Sequence, residues 1–364
     1  MPPNLLLLST VMVGWLVTAT AGSWKSETLA GSGKPGFAGD GGPVRQAVLN
    51  NPYGLERGPD GTLYVCDMEN HRVRAISPSG QIQTVAGNGK AGYSGDGGAG
   101  IEASLNEPYE IRVGPDGLLV WVEMKNHLVR QLDPRTRVIR TLAGDGQPGF
   151  AGDGAPALQA RFRQPHSLQF GPDGRLYICD IGNHRIRVLD LKTGRIDTFA
   201  GTGERRPLAD GSPREGTALN GPRALDFDKK GNLWLALREG NQILKLDKET
   251  DRFRVVAGTG KSGVTGNGGP AQAATLSGPK GLSIDPGSGR IFFADTESHT
   301  IRVVDPATGI LDWVGGSGMR SDGMDGEART TGLNRPHGVF VDKDGSVLVG
   351  DSENHKLRRF WWVP

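Results

Sequence analysis

The sequence predicts an all-β fold, a six-bladed β-propeller whose blades have four strands each. Glycine and proline, at 57 and 23 of the 364 residues, are too frequent for long helices. One pattern of residues recurs six times at intervals of 56 or 57 residues, and a fixed period of about this size is typical of propellers and solenoids. Short alternating stretches separated by turns indicate four antiparallel strands within each interval.

A proline marks the start of each repeat, just before the first predicted strand. The six are Pro52, Pro108, Pro165, Pro222, Pro279 and Pro336. In the first repeat, an Asp60-Gly61 turn leads to a second strand, His71 opens a third, and a turn at Gly80 leads to a fourth. Four consecutive antiparallel strands of this kind form one propeller blade.

The two chain ends predict how the ring closes. Only five of the six repeats have a fourth strand, because the chain stops after a third strand at Pro364. A strand at residues 24–29 precedes the first repeat. We expect this N-terminal strand to complete the last blade, so that no blade edge is left open.

The N-terminal residues predict export. Residues 5–21 form a mostly apolar stretch without a charge, ending in Ala19-Thr20-Ala21. This A-x-A pattern predicts a signal peptide over residues 1–21, with an uncleaved anchor as the alternative. We expect residues 22–364 to form a single propeller domain, secreted or periplasmic, with no membrane contact after cleavage.

The composition narrows the classes of partner. With 42 basic and 40 acidic residues the formal net charge is +2, which gives no electrostatic reason to expect nucleic-acid binding. Hydrophobic residues at 36% indicate a folded chain rather than a disordered one. Two cysteines exclude a disulfide-rich scaffold. We therefore expect a monomer that binds no nucleic acid.

A second landmark is a histidine with an acidic residue four positions before it and an arginine three positions after it. It occurs at His71, His127, His184, His299 and His355. Because the pattern recurs in nearly every blade, we expect a structural link among His, Asp and Arg, within or between blades. Unit four departs from it, with Leu237 for the acid, Gln242 for the histidine, and Arg238 and Glu239 between them.

The Pro-x-Gly, strand, Asp-x-x-Asn-His-x-x-Arg pattern resembles the NHL repeat family of six-bladed β-propellers. The residues that follow Cys66 and Cys179 are similar to the family signature, and the Gly-Asp-Gly-Gly loops between blades resemble those of secreted bacterial members. The resemblance implies the fold over essentially all of residues 22–364. It implies little about function, because propellers host unrelated chemistries.

The residue after the repeated proline varies, and in propellers of this family that position rims one mouth of the central channel. The six residues are Tyr53, Tyr109, His166, Arg223, Lys280 and His337. None is aliphatic, which favours a binding site for a small polar or anionic ligand. Glu110 and Arg238, where two units break the repeat, join this candidate set.

Three interpretations of this mouth stay open. It binds a small ligand or a side chain of a protein partner, or it is a solvated channel mouth without a ligand. In the third, His166 and His337 hold zinc or another divalent cation in a hydrolase or lyase, with Tyr53 or Tyr109 as acid or base and Arg223 orienting the substrate.

Two more distant resemblances bear on the metal. The peptide-amidating lyase propeller is similar in its Pro-His elements, which implies zinc-binding histidines, although two rather than three are present here. Gluconolactonase-like propellers share the fold, but their Glu, Asn and Asp set is not recognisable in this sequence. Whether the protein is an enzyme therefore stays open, and no cofactor is assigned.

Overall fold

Six antiparallel sheets arranged in a ring make up residues 22–364, the part of the chain that the computed structural model describes. The all-β, six-bladed propeller predicted from the repeat is thereby confirmed. The predicted signal peptide lies outside the described residues. Within those residues, no helix is long and apolar enough to cross a membrane.

Each blade is a sheet of four consecutive strands, ordered from the channel outward. Blade 1 consists of Pro52–Arg57, Leu63–Asp67, Arg72–Ile76 and Ile82–Ala86. Blade 2 consists of Pro108–Val113, Leu119–Glu123, Leu128–Leu132 and Ile139–Ala143. Blade 3 consists of Pro165–Phe170, Leu176–Asp180, Arg185–Asp190 and Arg195–Ala200. Blade 4 consists of Pro222–Phe227, Leu233–Leu237, Gln242–Asp247 and Arg252–Ala257.

Blades 5 and 6 follow the same plan. Blade 5 consists of Pro279–Ile284, Ile291–Asp295, Thr300–Asp305 and Ile310–Gly315. Blade 6 consists of Val339–Val341, Val347–Asp351, Lys356–Val363 and the N-terminal strand Ser23–Ala30. Two-residue strands, at Ala155–Pro156, Gly269–Pro270 and Gly326–Glu327, extend the outer edges of three blades.

The connections carry short 3-10 helices of three residues each. Those after a second strand are Met68–Asn70, Ile181–Asn183, Thr296–Ser298 and Ser352–Asn354. Those between blades are Val44–Gln46, Gly100–Glu102, Ala157–Gln159, Ala271–Ala273 and Ala328–Thr330.

The ring closes as predicted. Ser23–Ala30 pairs antiparallel with Lys356–Val363, with Trp24 opposite Trp362. The Trp24 ring packs edge-on against Trp362 and against Phe292 of blade 5, with centroids 5.7 and 5.9 Å apart. The two ends of the described chain therefore hold one blade together and seal it against its neighbour.

The hydrophobic core lies between the faces of neighbouring blades. One buried cluster joins Cys66 of blade 1 to Ile111 and Trp121 of blade 2. Cys66 and Cys179 are both buried free thiols in the structure, and each packs as a small apolar side chain.

The repeated histidines link each blade to the next. The Nδ1 atom of His71 accepts a hydrogen bond from the backbone N–H of Glu107 at 3.3 Å. The same bond recurs from Asn51, Gln164, Gly221 and Arg335 to His355, His127, His184 and His299. The predicted link between blades is present, but its donor is a backbone amide.

The predicted His–Asp–Arg composition of that link is therefore wrong. The acidic residue and the arginine pair with each other inside the blade, as in Asp67 and Arg74 at 3.1 Å. In blade 4 the histidine position is held by Asn241, not by Gln242, and its Oδ1 accepts from the N–H of Gly278 at 2.9 Å. The residues that donate have a positive φ of 46 to 71°, which turns their N–H groups toward the preceding blade.

Candidate functional site

The six variable residues meet at one end of the central channel. In five blades the residue is the second of the innermost strand, and in blade 6 His337 lies just before Val339–Val341. All six side chains are buried. Together with Arg238 they line a cavity of about 330 Å³, here called the mouth cavity. The strand register thus brings together seven of the eight residues that the sequence singled out for ligand binding.

Four aromatic rings form one wall of the mouth cavity. Tyr53 stacks on His337 with ring centroids 4.0 Å apart and planes 19° apart. Tyr109 meets Tyr53 edge-on at 4.4 Å and His166 edge-on at 4.5 Å. Burial raises the pKa of Tyr53 to about 12, so its phenol keeps its proton at neutral pH.

The hydrogen bonds of the two histidines fix their tautomers. His166 Nδ1 lies 2.6 Å from the carbonyl oxygen of Gln164, and His337 Nδ1 lies 2.8 Å from that of Arg335. Because a carbonyl only accepts, each Nδ1 carries the hydrogen and each Nε2 carries the lone pair. Burial lowers the pKa of His166 to about 3 and that of His337 well below its usual value.

These bonds leave little for a metal ion. The Nε2 lone pair of His337 accepts from the Lys280 amine at 3.1 Å, so both ring nitrogens of His337 are engaged. Structural and catalytic zinc sites use at least three protein ligands, and no group of three or more His, Cys, Asp or Glu side chains within residues 22–364 is placed to hold a metal. The residues at the mouth do not fit a zinc centre, and the metal-dependent alternative stays a prediction.

Arg223 is a buried cation without an anionic partner. It is 8% exposed, and none of the carboxylates of residues 22–364 forms an ion pair with it. Its guanidinium lies over the ring of Tyr109, 4.8 Å from the centroid, and donates to the Tyr109 hydroxyl. Burial lowers the pKa of Arg223, although a guanidinium stays charged in proteins. A buried charge of this kind is costly unless a counter-charge reaches it.

Lys280 stands beside Arg223 on the next blade and is only 4% exposed. Its amine lies 3.1 Å from Glu297 Oε1 as well as 3.1 Å from His337 Nε2. Burial, and next the charge of Arg223, lower the pKa of Lys280 to about 7. The amine is therefore held between two acceptors while its positive charge is weakened.

Sequence reasoning missed the outer part of the mouth. Arg335 pairs with Glu297 and with Glu353, at 3.0 Å in each case, and Arg238 pairs with Glu239 at 2.6 Å. Partial burial raises the pKa of Glu297, but Arg335 and Lys280 outweigh it and lower the value to about 2. Arg335 was detectable in principle, because it is the one cation at the position two residues before the ring.

Glu110 does not lie at the mouth. It is one residue further along its strand, where its carboxylate meets Arg112 at 2.5 Å, and it lines a space of about 10 Å³ beneath the ring. At this level a Cβ on Gly54 would lie 2.6 Å from the Cα of Glu110, so the inner strands close the channel. Burial raises the pKa of Glu110, and its partner is an arginine of its own strand.

The opposite end of the channel opens into a larger groove of about 1600 Å³. Glu56 and Arg112, 3.8 Å apart, lie at its floor together with Asp226. Burial raises the pKa of Glu56 to about 8. Because the buried arginine at this end has carboxylate partners, the larger groove lacks the unmatched charge that distinguishes the mouth cavity.

Comparison with known families agrees with this geometry. The NHL repeat pattern matches residues 162–189 and 333–360, in blades 3 and 6. The chain is an NHL-repeat propeller. Both matches span the repeated proline or its strand together with the Asn-His motif.

Curated relatives of this NHL propeller are longer proteins. It is 32% identical over 288 residues to the protein SUPPRESSOR OF QUENCHING 1, chloroplastic, of Arabidopsis thaliana, covering 76% of this chain and 27% of that protein. It is 30% identical over 311 residues to NHL repeat-containing protein 2 of Gallus gallus, covering 77% and 42%. The chain thus spans less than half the length of either relative.

Among solved structures, the NHL propeller is similar to an auxiliary nutrient binding protein from Bacteroides ovatus. The TM-score is 0.67 at 17% identity, and the match covers 94% of this chain and 78% of that one. At this identity the likeness shows the fold alone.

Proposed function

We propose that this NHL propeller is an exported binding module that takes a small anionic ligand at its mouth cavity. The observation that carries the proposal is the buried guanidinium of Arg223, which has no carboxylate partner in the described chain. A carboxylate or phosphate oxygen would supply the missing counter-charge through charge-assisted hydrogen bonds. Export rests on the A-x-A pattern that ends at Ala21.

The walls of the cavity suit a small organic acid. A volume of about 330 Å³ is at the lower end of the range for small-molecule sites. The rings of Tyr53 and Tyr109 offer apolar faces, while the Nε2 lone pair of His166 is free to accept a hydrogen bond from a hydroxyl group. A hydroxylated carboxylic acid would use all of these groups.

Two further points support this choice. The groups that surround Arg223 add positive charge, since Lys280, Arg238 and Arg335 line the same cavity. The similar fold from Bacteroides ovatus belongs to a protein named for nutrient binding. An acidic side chain of a protein partner would satisfy Arg223 by the same chemistry, and the size of the bound molecule separates the two cases.

A thermal-shift screen at low salt tests the proposal. Acetate, lactate, gluconate and inorganic phosphate serve as probes, and at least one is expected to raise the melting temperature in a concentration-dependent way. The Arg223→Gln variant should lose this shift. The control is Arg135→Gln, because Arg135 is a highly exposed arginine far along the chain from the ring. A shift that is unchanged in Arg223→Gln would contradict the proposal.

A further inference from the structure

Lys280 has a setting unlike that of an ordinary surface lysine. Its side chain is 4% exposed, and its amine lines the mouth cavity from the second position of Pro279–Ile284. Arg223 holds the same position in the neighbouring blade, at Pro222–Phe227. A ligand bound by Arg223 would therefore have the amine of Lys280 as its neighbour.

The contacts of this amine leave its lone pair available. The nitrogen has two acceptors, His337 Nε2 and Glu297 Oε1, each at 3.1 Å. A neutral amine has two hydrogens and one lone pair, so donating to both acceptors leaves the lone pair as its only unused valence. His337 is the acceptor here because its Nδ1 hydrogen is already directed to the carbonyl of Arg335.

The charges that face the amine favour its neutral form. Burial, Arg223 and Arg335 lower the pKa of Lys280, Glu297 raises it, and the balance is about 7. Tyr53 and His337 complete the surroundings as uncharged groups. Lysines that react with carbonyl compounds are activated in this way, by desolvation or by a neighbouring cation.

We propose that Lys280 forms an imine with the carbonyl carbon of a 2-oxo acid whose carboxylate is bound by Arg223. In a 2-oxo acid the carbonyl carbon is bonded directly to the carboxylate, so one ligand reaches both residues of adjacent blades. The inference rests on the proposed function, because it needs an anion at Arg223. It adds a substrate class and a covalent step to that site.

The reaction balances without an oxidant or reductant. The lone pair of the Lys280 nitrogen attacks the carbonyl carbon, the carbonyl oxygen gains a proton, and the nitrogen loses one to give a carbinolamine. Expulsion of the hydroxyl group as water, with the second nitrogen hydrogen, leaves a C=N bond. Addition of water to that bond reverses the step and releases the 2-oxo acid.

Reductive trapping tests the proposal directly. The purified protein is incubated with glyoxylate or pyruvate and sodium cyanoborohydride, then digested, and adducts are assigned by peptide mass spectrometry. We expect labelling of Lys280 at least roughly tenfold above that of Lys343, because an ordinary lysine is almost fully protonated near neutral pH. Lys343 is an exposed lysine that lines the groove at the opposite end of the channel.

Two variants and one analogue complete the test. Lys280→Arg should abolish the label at this site while keeping the positive charge and a native melting temperature, whereas Lys343→Arg should leave the Lys280 label unchanged. Arg223→Gln should reduce the Lys280 label. Equal labelling of Lys280 and Lys343 would contradict the proposal.

Lactate separates this inference from the proposed function, because it has the carboxylate but no carbonyl group to react. If lactate and pyruvate both bind in an Arg223-dependent way and no Lys280 adduct forms, the imine is wrong and anion binding stands. If neither binds and no adduct forms, both proposals are wrong. A Lys280 adduct that depends on Arg223 supports both.

Discussion

Arg223 of blade 4 donates a hydrogen bond to the hydroxyl of Tyr109 of blade 2, so its side chain spans the mouth past the intervening blade. The same contact places the guanidinium over the Tyr109 ring, 4.8 Å from its centroid. A cation over a ring is stabilised by about 0.5–2 kcal/mol, which is less than a buried charge loses on leaving water. The hydroxyl and the ring hold Arg223 in place without neutralising it.

Removing that hydroxyl should destabilise the free protein. Tyr109→Phe keeps the ring but leaves a buried charged donor without its acceptor, and we expect a loss of about 1–3 kcal/mol in the free energy of unfolding. Urea denaturation measures it. Tyr93→Phe, at a tyrosine that is 53% exposed, is the control and should cost less. An equal loss in both variants would contradict the role assigned to Tyr109.

The histidine links between blades predict a contrast between two substitutions. His71→Ala leaves the N–H of Glu107 without its acceptor and should cost about 1–3 kcal/mol. His71→Asn should cost clearly less, because Asn241 makes the equivalent bond in blade 4. Thermal or urea unfolding of the two variants tests this, and equal losses would show that the bond is not what the histidine contributes.

His166 predicts a specific pH dependence of stability. Burial lowers its pKa from 6.5 in the unfolded chain to about 3 in the folded protein, so the unfolded chain binds more protons below pH 6.5. The stability that a neutral His166 contributes is therefore complete above pH 6.5 and is lost as the pH falls. Between pH 7.5 and 5 the loss is about 2 kcal/mol.

His166→Gln isolates this effect from the other titrating groups. Glutamine does not titrate, so the variant should lose about 2 kcal/mol less than the parent protein between the two pH values. Urea unfolding at pH 7.5 and 5 gives both differences. The same pH slope in parent and variant would mean that His166 titrates normally in the folded state.

Closure of the ring by the N-terminal strand predicts a large effect of Trp24. This side chain is 6% exposed and packs on Phe292 and Trp362. Trp24→Ala should cost about 3–5 kcal/mol, whereas Leu158→Ala, at a leucine that is 57% exposed, should stay within about 0.5 kcal/mol. A small loss at Trp24 would show that blade 6 is stable without its fourth strand.

The repeat made the fold predictable, because each interval of 56 or 57 residues contains one complete blade with its turns. It also made the ring predictable, because strand register places the residue after each repeated proline at the same height. The acceptor role of His71 was not predictable in the same way. Its donor is a backbone amide, which leaves no residue type to detect in the sequence.

Side-chain pairing limited the prediction of the site. Glu110 was assigned to the mouth because it breaks the repeat, but alternation along the strand turns it toward Arg112, two residues on. The ion pair of Glu297 and Arg335 joins residues 38 positions apart on neighbouring blades. Only the packed ring shows that these two satisfy each other while Arg223 does not.

Calorimetric titration of the protein and its Arg223→Gln variant with the strongest probe from the thermal-shift screen tests the binding function most directly. We expect the variant to bind roughly 10- to 100-fold more weakly, as loss of a charge-assisted hydrogen bond implies, and Arg135→Gln to bind like the parent. Equal affinities in the protein and in Arg223→Gln would show that the buried guanidinium is not the anion-binding group.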